Sequence, residues 1–372
     1  LQEYSYDDLV IADPGNEDEI LVTAPWSAAY EYRIKQLNAS RVGTAATLGD
    51  QPINDIEYCD EWMCEGYCGE KSDGCSLMWG VTDADVSPYA APNLVKGVKD
   101  TTTQAITWST EPVLGFNGNL ESVECAGDRL LVSGNADSAV GYNDHDGDQD
   151  EWNVVVLGNA PTASPHALFA RTAREIWVGA NAGYVYKSVD GGASWTAMHS
   201  AEWTAQNCNA VYAYDRDLVY AGFDGGIILK SEDGGTTWDD VSDVATIPGN
   251  ILVVVVPPSR PREVYVGTNN GRLFRSRDEG ASWAQVNFDG DGVGTVDDVE
   301  FCGPCAGDVM FILHNDAGPR ARILRDLSGG AGGADVEIVM DWLDVIPIGI
   351  DLNAMDCCGP NELIAAGENH GG

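Results

Sequence analysis

The chain reads as an all-β protein, a seven-bladed β-propeller of four-stranded antiparallel blades closed by an N-terminal strand segment. Three observations predict this. A motif S-x-D-x-G-x-[S/T]-W occurs three times, tryptophans recur at blade-length spacing, and short apolar strands ending in glycine recur in step with them. Composition agrees. Of 372 residues, 44% are hydrophobic and 21% charged, enough apolar matter for a core, and 43 Gly beside 11 Trp suit tight turns between aromatic-packed strands.

Taken in order, residues 19–37 (EILVTAPWSAAYEYRIKQL) alternate like a strand and carry Trp26, but no partner strand precedes them. Residues 19–50 are therefore expected to supply closing strands to the last blade, because that blade ends after two strands and a closed ring leaves no open edge. Seven short strands open the seven units: INDIEYC (53–59), LESVEC (120–125), PHALFA (165–170), NAVYAY (209–214), ILVVVV (251–256), VDDVEFC (296–302) and LNAMDC (352–357). Each is followed by a second strand, ending at Gly80, Gly134, Gly179, Gly222 and Gly267, then MFILH (310–314), then LIAAG at Gly367. Glycine at these strand ends predicts a tight hairpin with positive φ. A Cys-rich insertion, residues 59–75, interrupts the first full blade.

The motif copies fall within residues 165–290. They are Ser188, Asp190, Gly192, Ser194 and Trp195; Ser231, Asp233, Gly235, Thr237 and Trp238; and Ser276, Asp278, Gly280, Ser282 and Trp283. The aspartate and hydroxyls are expected to cap backbone N–H groups of a tight turn. Trp108, Trp152, Trp195, Trp238 and Trp283 lie 44, 43, 43 and 45 residues apart, and each is expected to fill the seam between adjacent blades.

These copies resemble the Asp-box, or BNR, repeat. That family includes sialidases, xyloglucan-cleaving glycosidases, sortilin-type receptors and the photosystem II assembly factor of plants and cyanobacteria. The resemblance implies a propeller whose Asp boxes sit at the rim and serve the fold rather than catalysis. A sialidase would carry an F/Y-R-I-P motif shortly before its first box; here Tyr32, Arg33, Ile34 and Lys35 lack the proline and come some 150 residues early. Seven blades match the assembly factor better than a six-bladed sialidase. The basic patch of that factor has only a small local counterpart in Arg272, Arg275 and Arg277.

Charge narrows the partners. Twenty Lys plus Arg against 59 Asp plus Glu leave a net charge of −39, which repels nucleic-acid backbones and anionic membranes alike. Such self-repulsion must be screened or neutralised, by a high-salt setting, by divalent cations or by a cationic partner. Two acidic loops nominate calcium as a cofactor. Asn287, Asp289, Asp291 and Asp298 stand at positions 1, 3, 5 and 12 of a calcium-loop spacing with Gly292 at position 6. Asp144, Asp146, Asp148 and Asp150 crowd a second loop, where like charges repel unless a cation or solvent neutralises them.

Ten cysteines point to an oxidising compartment. Cys59, Cys64, Cys68 and Cys75 have C-x4-C-x3-C-x6-C spacing, unlike paired zinc ligands, so a disulfide-stapled loop is expected. Cys302-Gly-Pro-Cys305 spells a redox motif, but in a hairpin rather than before a helix, and Cys357-Cys358-Gly-Pro repeats the turn one blade later; a structural role is expected. Cys125 and Cys208 remain as a further pair or as buried thiols. Asn38-Ala39-Ser40 is a glycosylation sequon.

Together these readings predict a non-enzymatic recognition or structural propeller outside the cell, a surface adhesin or virion component in a salty habitat. Its expected partner is a protein or glycan, or further copies of itself, with no nucleic acid and no membrane insertion. A sialidase-like glycoside hydrolase and an assembly factor are the alternatives.

Overall fold

The computed structural model describes residues 8–12, 20–23, 53–59, 77–84, 92–99, 106–113, 119–127, 129–134, 138–144, 152–158, 164–198, 206–243, 246–288, 291–302, 309–316, 321–326, 336–341, 350–357 and 363–369. The described strands pair into seven four-stranded sheets. Six are built of consecutive strands. They begin with Ile53–Tyr58, Leu120–Ala126, Pro165–Ala170, Cys208–Ala213, Ile251–Val255 and Thr295–Cys302, and are antiparallel throughout. The seventh is composite: Ile350–Cys357 pairs with Leu363–Asn369, and the chain's first strands, Asp8–Ala12 and Ile20–Thr23, complete it.

The opening strand of each sheet lies against the opening strand of the next, and the seventh lies against the first. The result is an all-β propeller of four-stranded blades with the opening strands innermost. Among the described residues no helix is long and apolar enough to cross a membrane.

Closure differs from the expectation in position and in sense. Asp8–Ala12, upstream of 19–37, pairs with Leu363–Asn369, and it does so in parallel (Leu9 opposite Leu363, Ala12 opposite Ala366). Ile20–Thr23 then adds antiparallel at the edge. The extended segment nearer the N-terminus takes the inner place, which the alternation of 19–37 could not foretell. Trp26, the remainder of 24–50 and the Tyr32–Lys35 and Asn38–Ser40 segments lie outside the described residues.

The second strands of the third, fourth and fifth sheets, IWVGA, VYAGF and VYVGT, are buried at every position because neighbouring blades cover both faces. Their glycines correct the hairpin expectation. Gly179, Gly222 and Gly267 lie within the strands, and positive φ falls four residues later, at Gly183 (79°), Gly226 (78°) and Gly271 (69°). What the strand glycines provide is close approach. A Cβ at Gly179 would stand 2.7 Å from the Cys208 sulfur, and one at Gly222 would collide with Ile251, each on the innermost strand of the following blade.

The three motif turns are superposable in their bonding. In the fourth sheet, Ser231 Oγ donates to Asp233 Oδ1 (2.9 Å) and accepts from the Gly235 N–H (2.8 Å). Asp233 accepts from the Thr237 N–H (2.8 Å) and hydroxyl (2.7 Å). Ser188, Asp190, Gly192 and Ser194 repeat this, as do Ser276, Asp278, Gly280 and Ser282. The bonds to Thr237 hold the Asp233 carboxyl below the usual range.

Each turn docks on the preceding blade. Gly235 sits over the Trp177 ring, Lys187 Nζ donates to the Gly234 carbonyl (3.2 Å), and Lys230 Nζ reaches Glu279 in the next turn (2.9 Å). The tryptophans follow the same direction. Trp238 meets Trp177 edge-on at 6.5 Å, Trp283 Nε1 donates to the Val241 carbonyl (2.9 Å), Trp195 packs on the second sheet's Leu131 and Val140, and Trp152 packs in the cluster of Trp79. The side chain of Trp108 lies outside the described residues.

Candidate functional site: an acidic arc on the innermost strands

An innermost strand has one edge paired and one facing the axis of the ring, so its free N–H groups need acceptors. All seven opening strands meet this geometry with a bulge near the start, which displaces one residue from the ladder. The displaced residue is Asn54 in the first, Asn209 in the fourth and Asn353 in the seventh. Each donates its side-chain amide to the first carbonyl of the next blade's opening strand: Leu120 (2.7 Å), Ile251 (3.1 Å) and Ile53 (2.8 Å).

Past the bulge, the next residue and the one two further along lie on the same side of the strand, toward the next blade. Acids at these places accept from that blade's backbone. Asp55 takes the Val123 N–H (2.9 Å) and the Ser122 hydroxyl (2.8 Å), and Asp298 takes the Met355 N–H (3.0 Å). Glu124 takes the Ala170 N–H (2.6 Å) and Asp356 the Tyr58 N–H (2.7 Å). The carboxylates therefore lace the ring together along its inner edge.

The second of these places has a lopsided composition around the ring. It is acidic in the sixth, seventh, first and second sheets (Glu300, Asp356, Glu57, Glu124), which adjoin one another. In the third, fourth and fifth it is Phe169, Tyr212 and Val255. Phe169 and Tyr212 lie with ring centroids 4.7 Å apart. One arc of the inner strands thus carries carboxyl groups at this place and the other aromatic and apolar side chains.

The acidic arc is electrostatically loaded. Burial raises the Asp55 carboxyl to about 6 and, with the nearby charge of Asp55, the Asp298 carboxyl to about 7. Burial drives Glu57 well above the carboxylate range, helped by the charges of Asp356 and Glu124, and does the same to Glu124 and Glu300. Among the described residues, the charged groups acting on these five are acidic. Glu300, Asp356 and Cys357 bring potential ligand atoms within 4.8 Å of one another, but Cys357 is disulfide-bonded, so its sulfur offers no thiolate.

The residues nominated from sequence are distributed differently. Asp298 belongs to this arc, with Oδ1 accepting the Val299 N–H and Oδ2 the Met355 N–H. Asn287 is exposed, and Asp291, in a turn, accepts from Gln285 (2.6 Å). Asp289 lies outside the described residues, as do Asp146, Asp148 and Asp150; Asp144 is ion-paired to Arg129 at 2.5 Å. Arg277 faces Glu263 at 3.9 Å.

The cysteine expectation is corrected. Cys59 bonds to Cys125 across the seam between the first and second sheets, rather than within the 59–75 loop, because the two innermost strands end side by side there. Cys208 is a free, buried thiol. Cys64, Cys68, Cys75 and Cys305, and the side chain of Cys302, lie outside the described residues.

The acidic arc itself was not singled out from sequence. The signal was present: D-x-E precedes an aromatic and a Cys in both INDIEYC and VDDVEFC, and an acid precedes Cys in LESVEC and LNAMDC. With 59 acids in the chain, only the shared place on the inner strand separates these from the rest.

Residues 102–261 match the family model of the DUF6242 beta propeller domain. No curated protein matches the chain. Among solved structures, YCF48 from Cyanidioschyzon merolae is similar at 14% identity and a TM-score of 0.57, over 86% of this chain and 93% of that one. A structure described as YCF48 bound to D1 peptide is similar at 16% identity and a TM-score of 0.59, over 86% and 91%. The WD40 propeller domain of Doa1 is similar at 11% identity and a TM-score of 0.61, over 86% and 90%. At these identities the likeness is one of fold: the chain is a β-propeller.

Proposed function

We propose that this chain is a non-catalytic recognition propeller, seven-bladed and of the Asp-box type, which binds a polypeptide partner through a cationic segment presented to its acidic arc. The observation behind this reading is the division of the inner strands: Glu300, Asp356, Glu57 and Glu124 occupy on adjoining blades the place held by Phe169, Tyr212 and Val255 on the others. Acidic side chains gathered on adjoining inner strands gain from an incoming ammonium or guanidinium, and aromatic neighbours suit the apolar stem of the same side chain. The fold neighbour described as bound to a peptide supports a peptide as the class of ligand. An extracellular setting is supported by the Cys59–Cys125 bridge, since disulfides persist in oxidising compartments.

The test is fluorescence polarisation with labelled peptides of one length, in Lys/Arg-rich, neutral and Glu-rich series, at 0.1 and 1 M NaCl. The expected result is binding of the cationic series alone, weakened by salt and by at least ~10-fold in a Glu57→Gln/Glu300→Gln variant. Equal binding of all series, or an unaffected variant, would overturn the reading.

A further inference from the structure

We propose that Cys302 and Cys357 form a second disulfide between neighbouring innermost strands, equivalent in place to Cys59–Cys125, so that covalent ties stand on both sides of the junction where the ring closes. The inference rests on strand register and on the bonded state of Cys357, and stands apart from any partner.

The Cys59–Cys125 bridge fixes the geometry that a second one must meet. Cys59 follows the first sheet's opening strand and donates its N–H to the Leu77 carbonyl (2.9 Å), while Cys125 lies on the second sheet's opening strand, with 5.5 Å between the two Cα atoms. The bond from the Val123 N–H to Asp55 sets the register across that seam. Cys59 stands four residues past this aspartate, and Cys125 two past Val123. The seam between the sixth and seventh sheets carries the same bond, from the Met355 N–H to Asp298 (3.0 Å). Asp298, like Asp55, is the first residue past a bulge. Four residues past Asp298 is Cys302, and two past Met355 is Cys357. Cys302 stands opposite Val309, which opens the second strand of its sheet, as Cys59 meets Leu77, which opens the second strand of the first. Seams in one register bring the same places together, here at the Cα separation a disulfide needs.

Cys357 is disulfide-bonded, and the same count separates its partner from the other cysteines close in sequence. Cys305 is seven residues past Asp298. At the seam between the seventh and first sheets the count gives Cys358 and Tyr58, and at the remaining seams it gives no cysteine. That closing junction is held by Asn353 donating to the Ile53 carbonyl (2.8 Å) and by the Tyr58 N–H donating to Asp356 (2.7 Å). Bridges at the seams before and after it would tie the sixth sheet to the seventh and the first to the second. Closing the Cys302–Cys357 bond takes two protons and two electrons from the two thiols, and the disulfide of a thiol–disulfide oxidoreductase accepts them, opening to its dithiol.

The experiment is disulfide mapping of the oxidised full chain, alkylated with N-ethylmaleimide under denaturing conditions without reductant and digested with trypsin. Residues 278–320 and 326–372 fall in separate tryptic peptides, because neither range contains an internal Lys or Arg before its end. The expected result is that these two peptides are joined, with fragmentation at Pro304 and between Cys357 and Cys358 assigning the link to Cys302 and Cys357. In a Cys305→Ser/Cys358→Ser variant the two peptides are expected to stay joined. Alkylated Cys302 in the wild type, Cys357 joined to any other cysteine, or separate peptides in the variant would overturn the proposal.

Discussion

Replacing Asp55 by Asn should stabilise the protein above neutral pH and destabilise it in acid. Asp55 lies on an innermost strand, and burial lifts its carboxyl from an ordinary 3.8 to about 6. Between those values the native state holds a proton that the unfolded chain has already lost. The contribution of this group to stability therefore falls as pH rises through that window and is level above it. At about 1.4 kcal/mol per pH unit the cost at pH 8 is roughly 3 kcal/mol, or about 2 after allowing for water at the inner wall. Asparagine escapes this cost but keeps one acceptor oxygen where the carboxylate used two, one for the Ile56 N–H and the other for Val123 and Ser122. Losing one such bond costs about 1 kcal/mol. The net expectation for Asp55→Asn is a gain of about 1 kcal/mol at pH 8 and a loss of similar size at pH 4. Urea unfolding of both proteins across pH 4–8 measures the crossing. Repulsion among the other acids cancels in the difference, while relief of Glu57, Glu124, Asp298 and Glu300 from the Asp55 charge adds to the gain at pH 8. Destabilisation of equal size at both ends of the range would refute the electrostatic reasoning and leave Asp55 as a plain hydrogen-bond acceptor.

Two substitutions test how the rim turns dock. Gly235→Ala places a Cβ 2.8 Å from the Trp177 ring at a φ of +92°, so it should cost ~2 kcal/mol or more and lower the thermal midpoint by several degrees. Ser231→Ala removes a buried hydroxyl that serves both Asp233 and the Gly235 N–H; a loss of ~1–2 kcal/mol is expected in urea titrations, whereas no change would mean the turn forms without it.

The all-β class and the rim turns were legible in the sequence because their signals are local. Serine, aspartate, glycine and tryptophan at fixed offsets define a turn whose bonds are all made within a few residues, as at Ser231–Thr237. The spacing of Trp238 and Trp283 led to the expectation that they fill seams between blades, while the direction, onto the preceding blade, was not encoded in it. What escaped the sequence depends on neighbours distant along the chain. The strand glycines were assigned to turn conformation, yet Gly179 and Gly222 are small because the next blade's innermost strand, some thirty residues on, presses against them. The partner of Cys59 lies 66 residues away, across a seam that no spacing rule encodes. Asp298 fitted a local loop pattern, while its actual contact is the Met355 backbone 57 residues later.

The inner lacing also bears on how freely such a ring can be rebuilt. The junctions from the third sheet to the fifth meet mainly through apolar side chains and the Asn209 amide, so a similar module grafted there would find compatible neighbours. At the junction of the first and second sheets, Asp55 requires the hydroxyl of Ser122, and Cys59 requires Cys125. A foreign module at that point would strand a carboxylate and a thiol at once. Order around the circle is therefore enforced at particular joints, and engineering by module exchange should begin on the apolar side.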